Sequence, residues 1–165
     1  MKQTILFLAI ITSFQLSLAQ DAKSVVNKLL NQWHTAASQA DFNSYFNFMD
    51  HDFIFIGTDA TERWNKSEFM HYAKPHFDQG KAWSFTALER NINFSADGKT
   101  AWIDELLSTQ MKLCRGSGVL EQKEGKWLIK QYVLSMTVPN DQAAEVIKLK
   151  SAMEDPIINR LKNKQ

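Results

Sequence analysis

Cysteine is almost absent from this chain, which has only Cys114 among its 165 residues. A lone cysteine excludes an intramolecular disulfide framework and any metal site built from several thiolates. Charge of one sign is also lacking, because 19 basic residues balance 18 acidic ones. We therefore expect no nucleic-acid partner and no attraction to an anionic membrane. The length suits one domain, and the ordinary apolar content of 44% excludes a disordered chain.

The N-terminus has the pattern of a secretory signal peptide. One lysine precedes an apolar run, Ile5–Ile11, and the small residues Ser17 and Ala19 suit cleavage after Ala19. The run is shorter than the roughly 20 residues that cross a bilayer, so we expect no stable membrane insertion. The sequence thus predicts a signal peptide over residues 1–19 and an exported protein, periplasmic or secreted. In such a compartment a single cysteine is expected to be buried.

Helical periodicity dominates the first part of the mature chain. Asp41 is placed to cap a short helix, and Asn65 with Glu68 has the pattern of a capping box. The spacing of apolar residues predicts three helices, over residues 25–40, 42–48 and 66–77, with a short strand, Phe53–Ile56, between the second and the third.

Long segments rich in β-branched and aromatic residues follow Gly80. Glycine-containing hairpin turns are expected at residues 97–98 and 124–125. A C-terminal helix is expected to begin near Asn140 and to restart at Asp155-Pro156. Helices followed by an antiparallel meander indicate the α+β class. The predicted strands are residues 83–94, 100–113, 115–123 and 126–138.

The first hairpin turn fixes a register that places Arg90 opposite Glu105. It also places Leu88 opposite Leu107, so the charged pair interrupts an otherwise apolar face. One interpretation is a cross-strand ion pair worth under about 1 kcal/mol. The other is a pair of polar groups that orients a ligand in an apolar cavity.

The second hairpin turn places Gln131 opposite Gly118 and Val133 opposite Gly116. Glycine inside a strand marks a bend in the sheet or the close approach of a ligand or another backbone. Both interpretations are open at this point, and the second predicts free space above these two glycines.

The opposite face of the predicted sheet is apolar as well, whereas a solvated face would alternate to polar residues. The C-terminal helix or a second copy of the chain is expected to cover it. We favour a homodimer through this outer face, with Tyr132 and Leu134 near its centre. The apolar residues assigned to the face are Trp83, Phe85, Trp102, Leu106, Leu128, Tyr132, Leu134 and Met136.

Two motifs carry a resemblance to a known family. They are Ile56-Gly57-Thr58-Asp59 with Glu62 and Trp64, and the segment 115–120 with 131–135. Together with the helices and the meander, they resemble a SnoaL-like domain of the nuclear transport factor 2-like superfamily. The resemblance spans residues 22–140 and leaves residues 141–165 as a helical extension. It implies N-terminal helices packed in the concave face of a curved, cone-shaped sheet. Its members include isomerase-like and cyclase-like enzymes, ligand binders and dimers, so it leaves the chemistry open.

The favoured function is binding of a small apolar or amphipathic molecule inside the cone. No metal or other cofactor is expected, because the histidines lack ligand spacing and no phosphate-binding loop is present. The expected ligand-binding residues are Trp33, Tyr45, Phe55, Thr58, Trp64, Arg90, Glu105, Gly118, Gln131 and Ser135.

Two alternatives remain. The first is an isomerase, cyclase or hydratase with Glu105 or Asp59 as the base and Tyr45 as a hydrogen-bond donor, and with Glu62 or His34 as replacements. The second is an interaction module whose working surface is the outer face of the sheet.

Overall fold

The computed structural model describes residues 21–80 and 82–164, so the predicted signal peptide lies outside the described residues. The three predicted N-terminal helices are confirmed, and α3 begins with the predicted capping box of Asn65 and Glu68. No helix among the described residues is long and apolar enough to cross a membrane. The helices are α1 over residues 21–38, α2 (Phe42–Asn47) and α3 (Lys66–Asp78).

The structure has a six-stranded sheet, which confirms the predicted α+β class. The predicted meander contained only four of these strands. Its order is β2-β1-β6-β5-β4-β3, and β1 runs parallel to β6 while every other pair is antiparallel. The sheet is therefore mixed, because it combines one parallel pair with four antiparallel pairs. The parallel pair joins strands that are distant in the chain. The strands are β1 (Met49–Ile56), β2 (Arg63–Asn65), β3 (Thr86–Phe94), β4 (Thr100–Thr109), β5 (Lys112–Lys123) and β6 (Lys126–Met136).

The turn between β4 and β5 falls earlier than predicted. β4 ends at Thr109, and Lys112 opens β5 with a φ of 71°. This left-handed conformation is usually taken by glycine or asparagine, neither of which stands here. The sequence therefore carried no turn signal at this point.

A bulge changes the register of the first hairpin. Arg90 pairs with Glu105 as predicted, but Ala87, not Leu88, lies opposite Leu107. Leu88 is the extra residue, and it is exposed. The predicted contact between Leu88 and Leu107 is wrong because a bulge inserts one residue into one strand only.

A second bulge has larger consequences on β6. Ile129 pairs with Leu120 as predicted, but Gln131 then pairs with Val119, so Lys130 is the extra residue. Past this point every side chain of β6 faces the side opposite to the predicted one. Tyr132 and Leu134 are buried inside, and the prediction that they form the centre of a dimer interface is wrong.

The C-terminal helix, α4 (Ala143–Lys162), follows a short 3₁₀ turn at Asn140–Gln142. It continues through Pro156, so the predicted restart at Asp155-Pro156 does not occur. None of the residues of α4, all of which are described, is buried. The helix therefore does not cover the outer face of the sheet.

The core lies between the helices and the inner face of the sheet. Trp33 of α1 packs edge-on against Tyr132 of β6, with ring centroids 4.7 Å apart. Cys114 is fully buried, as predicted. Phe69, Ala73 and Phe77 of α3 are also buried, and Phe69 stacks on Phe55 of β1.

Candidate functional site

A fully buried carboxylate, Glu105, lies at the centre of the inner face of the sheet. Its Oε1 accepts hydrogen bonds from His34 Nε2 at 2.9 Å and from Tyr132 Oη at 2.7 Å. Its Oε2 accepts from Arg90 Nε at 2.7 Å, and Arg90 Nη2 lies 2.7 Å from the same oxygen. Both carboxylate oxygens are therefore occupied by donors from this chain.

The same contacts decide the protonation of Glu105 and Tyr132. Burial raises the pKa of Glu105, but the hydrogen bond from His34 and the positive charge of Arg90 outweigh it, and the pKa is lower than usual. Burial and the neighbouring Glu105 charge raise the pKa of Tyr132 well above its usual value. Glu105 is thus an anion and Tyr132 a neutral donor at neutral pH.

Arg90 joins this network to α1. Its Nη1 donates to the carbonyl oxygen of Asn27 at 3.1 Å, and to the side-chain oxygens of Asn27 and Asn31 at 2.7 Å each. The predicted Arg90–Glu105 pair is present, but it is enclosed by protein groups. It links β3, β4 and α1.

Two glycines of β5 leave room for the aromatic member of the network. A Cβ at Gly116 would stand 2.0 Å from Tyr132 Oη and 3.0 Å from Glu105 Cγ. A Cβ at Gly118 would stand 3.1 Å from Tyr132 Cδ2 and 2.8 Å from the Gln131 carbonyl oxygen. The predicted free space above these glycines is filled by Tyr132.

An open cavity of about 150 Å³ lies to one side of this network. We call it the aromatic cavity. Its wall is formed by the ends of β1 and β2, by α3, by the segment before β3, by the β4–β5 turn and by β6. Its lining residues are Phe55, Gly57, Thr58, Glu62, Trp64, Phe69, Tyr72, Trp83, Phe85, Gln110, Met111 and Leu134.

Stacked rings form most of this lining. The ring centroids of Phe55 and Phe69 are 4.2 Å apart with planes at 10°, and those of Trp64 and Tyr72 are 4.5 Å apart at 22°. Trp83 extends the stack beyond Phe69, at 5.7 Å and 23°. The cavity therefore offers flat apolar surfaces of the kind that bind small rings.

Glu62 places a carboxylate in this aromatic lining. Its Oε2 accepts the backbone N–H of Asp59 at 3.2 Å, and Gly57 N–H donates to its carbonyl oxygen at 2.8 Å. A Cβ at Gly57 would stand 2.1 Å from Glu62 Oε2 and 2.9 Å from Glu62 Cβ, so a larger residue here would force the Glu62 side chain to move. Burial and the charge of Glu62 raise the pKa of Tyr72 across the cavity.

A second, polar cleft of about 280 Å³ lies between α1 and the start of β3. His34 reaches it from the Glu105 network, and Phe85 lines both this cleft and the aromatic cavity. The other residues of the cleft are Asn31, Thr35, Ser38, Ser84, Thr86 and Ala87.

The predicted ligand-binding residues separate into three groups. Phe55, Thr58 and Trp64 line the aromatic cavity. Gln131 and Ser135 are exposed on the outer side, because the Lys130 bulge reverses their direction. The remaining predicted residues, Trp33, Tyr45, Arg90, Glu105 and Gly118, lie in the interior beside or within the Glu105 network and are absent from the cavity wall.

Of the four predicted catalytic residues, His34 and Glu105 come together in the Glu105 network, whereas Tyr45 and Asp59 lie outside it. Tyr45 is buried against Trp33, and its hydroxyl accepts the Trp83 indole N–H at 3.3 Å. Burial raises the pKa of Tyr45 above its usual value. Asp59 lies in an exposed turn, where hydrogen bonds from Thr61 lower its pKa.

Several cavity residues were missed in the sequence. Phe69 and Tyr72 share one stripe of α3, which indicated a buried helix face and nothing more specific. Leu134 was missed because of the β6 bulge. Gln110 lies in the turn that carried no signal.

One cluster outside the cavity has metal-ligating atoms, namely Asp50, His51 and Asp52. Lys123 Nζ lies 2.5 Å and Lys130 Nζ 3.3 Å from Asp50 Oδ2. Burial opposes ionisation of Asp50, but hydrogen bonds from Lys123 and His51 lower its pKa below the usual range. The two ammonium groups already neutralise the carboxylates of Asp50 and Asp52, so this cluster is an ion-pair network that joins β1 to β5 and β6.

Comparisons with known proteins agree with this fold. The family model described as SnoaL-like domain matches residues 26–139. A nuclear transport factor 2-like protein from Pseudomonas putida has a TM-score of 0.63 at 13% identity, covering 74% of this chain and 92% of that one. A similar protein from Cytophaga hutchinsonii has a TM-score of 0.58 at 16% identity, covering 70% and 98%. A cystatin-like-fold domain from Nostoc punctiforme has a TM-score of 0.62 at 13% identity, covering 87% and 96%. No curated protein matches the chain.

Proposed function

Since the chain belongs to the SnoaL-like domain family, we propose that it binds a small apolar or amphipathic molecule in the aromatic cavity. The observation that carries this proposal is the stack of Phe55, Phe69 and Trp83 beside an opening to solvent. The volume of about 150 Å³ suits one small ring, since an apolar cavity of that size accepts benzene.

A cavity-filling variant tests this proposal. Leu134 lines the cavity, so Leu134→Phe fills it, whereas Met136→Phe makes a matched change at an exposed site two residues along β6. Toluene binding is followed through the change in total tryptophan fluorescence, because Trp64 and Trp83 line the cavity. We expect saturable binding that Leu134→Phe weakens about tenfold or more and Met136→Phe leaves unchanged. Absence of binding, or equal weakening in both variants, contradicts the proposal.

An isomerase-type reaction is the second candidate, and Glu62 is the residue that favours it. The Glu62 carboxylate and the Tyr72 side chain line the same cavity. The cavity therefore offers a base, Glu62, and a hydroxyl donor, Tyr72, in one place. Glu105 is poorly suited to be the base because both of its oxygens are occupied. Exchange of the α-protons of cyclohexanone in D₂O, followed by NMR, tests this candidate. Catalysed exchange that Glu62→Gln abolishes supports it, and exchange at the buffer rate contradicts it.

We propose that the protein is exported, on the evidence of the N-terminal pattern alone. The mature protein is expected to begin at Gln20 and to reside in the periplasm or the medium. Mass spectrometry of the protein from fractionated cells checks this. An uncleaved chain in the cytoplasmic fraction contradicts it.

We also propose a homodimer through the outer face of the sheet, with a revised centre. Trp102 is 48% exposed and pairs with Val119 on the neighbouring strand, and Leu106 follows on the same face. Light scattering is expected to give twice the mass of one chain, and Trp102→Glu is expected to halve it. A monomer mass for the wild type overturns this proposal.

A further inference from the structure

Among the described residues that line the aromatic cavity, the one formal charge is the negative charge of Glu62. Resting on the proposed ligand-binding function, we infer that the ligand is an organic cation, a protonated or quaternary amine joined to a small apolar group. The ring surfaces, the position of Glu62 and the charges of the described lining all favour such a ligand.

The aromatic rings of the cavity favour a cationic ligand. Six of the twelve described lining residues are aromatic, namely Phe55, Trp64, Phe69, Tyr72, Trp83 and Phe85. The faces of aromatic rings carry negative electrostatic potential, and ammonium groups bind to them. A neutral apolar ligand needs only apolar surface, so aliphatic residues would serve it equally well.

The charges of the cavity lining also favour a cation. Among the described residues that line the cavity, Glu62 is the one with a charged side chain, and no lysine, arginine or histidine accompanies it. The Glu105 carboxylate contrasts with it, since Arg90 and His34 bond directly to Glu105. Within this described lining no cation neutralises Glu62, so its charge would attract a cationic ligand and repel an anionic one.

The backbone around Glu62 is built to keep this carboxylate at the wall. The Asp59 N–H bonds to Oε2, and Gly57 is the residue whose missing Cβ leaves the space that the carboxylate occupies. A flexible surface glutamate would need neither feature. The raised pKa of Tyr72, which burial and Glu62 cause, agrees with a field that extends across the cavity.

Three ligands with one ring and different charge test the inference. Benzylammonium, benzyl alcohol and benzoate are titrated into the purified protein by calorimetry at pH 7 and low salt. We expect benzylammonium to bind about tenfold more tightly than benzyl alcohol, and benzoate to bind more weakly than either. Glu62→Gln is expected to remove the preference for the cation. Glu89→Gln, the same change at an exposed position of β3, is expected to retain it.

The outcomes separate this inference from the proposed function. Equal binding of benzylammonium and benzyl alcohol overturns the cation inference and leaves the ligand-binding function supported. Binding of none of the three overturns both. A preference that Glu89→Gln removes as fully as Glu62→Gln also overturns the inference, because it would reflect the general field of the protein. The wild-type series decides the question even if Glu62→Gln does not fold.

Discussion

At the residue scale, the carboxylate that the sequence singled out has a structural role. Glu105 is fully buried, and it ties His34, Arg90 and Tyr132 to one point on the inner face. Removing one partner of such a group leaves a buried charge with an unmet hydrogen bond, which is costly. The stability of the domain is therefore expected to depend strongly on these four side chains.

Tyr132→Phe tests this dependence with the least change in shape. It removes the O–H that Glu105 accepts at 2.7 Å. We expect the free energy of unfolding to fall by about 1.5–3 kcal/mol, because the acceptor is ionised and buried. Tyr72→Phe removes a hydroxyl from a half-exposed ring and is expected to change the free energy by less than about 0.5 kcal/mol. Urea unfolding of both variants measures this, and equal losses would argue against a special role for Tyr132.

The same network predicts how stability depends on pH. The pKa of Glu105 is lower in the folded protein than its ordinary value of 4.5, so below that value the unfolded chain binds more protons. The stabilisation is complete above about pH 4.5 and is lost as the pH falls through the folded pKa. Asp50, whose pKa is also lowered, adds to the same trend.

Unfolding free energies between pH 7 and pH 3 check this expectation. The wild type is expected to be nearly constant down to about pH 5 and to weaken steeply below pH 4.5. Glu105→Gln is expected to be less stable at pH 7 and to show a shallower acid limb. Glu89→Gln, an exposed control, is expected to follow the wild type. A wild-type curve that stays flat to pH 3 would contradict this account.

At the scale of elements, the extra residue Lys130 in β6 determines that Tyr132 and Leu134 face the interior. The hairpin turns predicted the pairing of Arg90 with Glu105 and of Ile129 with Leu120 correctly. Bulges at Leu88 and Lys130 then shifted the register. The sequence holds no proline or glycine at either position, so turn-based rules could not detect the bulges.

Gly116→Ala tests whether β5 must leave space for Tyr132. The added Cβ would stand 2.0 Å from Tyr132 Oη, so the ring has to move away from Glu105. We expect a loss of about 1–3 kcal/mol in the free energy of unfolding. Ser117→Ala, at the exposed next position of the strand, is expected to have little effect. Thermal or urea unfolding distinguishes the two, and a neutral Gly116→Ala would contradict the described packing.

At the scale of the whole molecule, the sequence predicted the fold class and the family but only part of the cavity. Local signals such as the Asn65–Glu68 capping box were sufficient for the helices. The parallel pairing of β1 with β6 depends on contacts distant in the chain, which no local pattern reports. Phe55, Thr58 and Trp64 were found because they lie in one segment of sequence, whereas Trp83 and Leu134 join them only through the fold.

Two distinct regions lie side by side within one domain. The Glu105 network holds α1 against the sheet, and the aromatic cavity lies beside it with an opening to solvent. Ligand binding is therefore expected to leave the Glu105 contacts intact. The proposed function requires that a small molecule occupies the aromatic cavity.

A crystal structure of the protein purified from its native host, without added ligand, tests this claim most directly. We expect density for one small molecule against Trp64, Phe69 and Trp83, close to the Glu62 carboxylate, and mass spectrometry of the released compound identifies it. A cavity closed by its own side chains, or a bound molecule located elsewhere, would contradict the account.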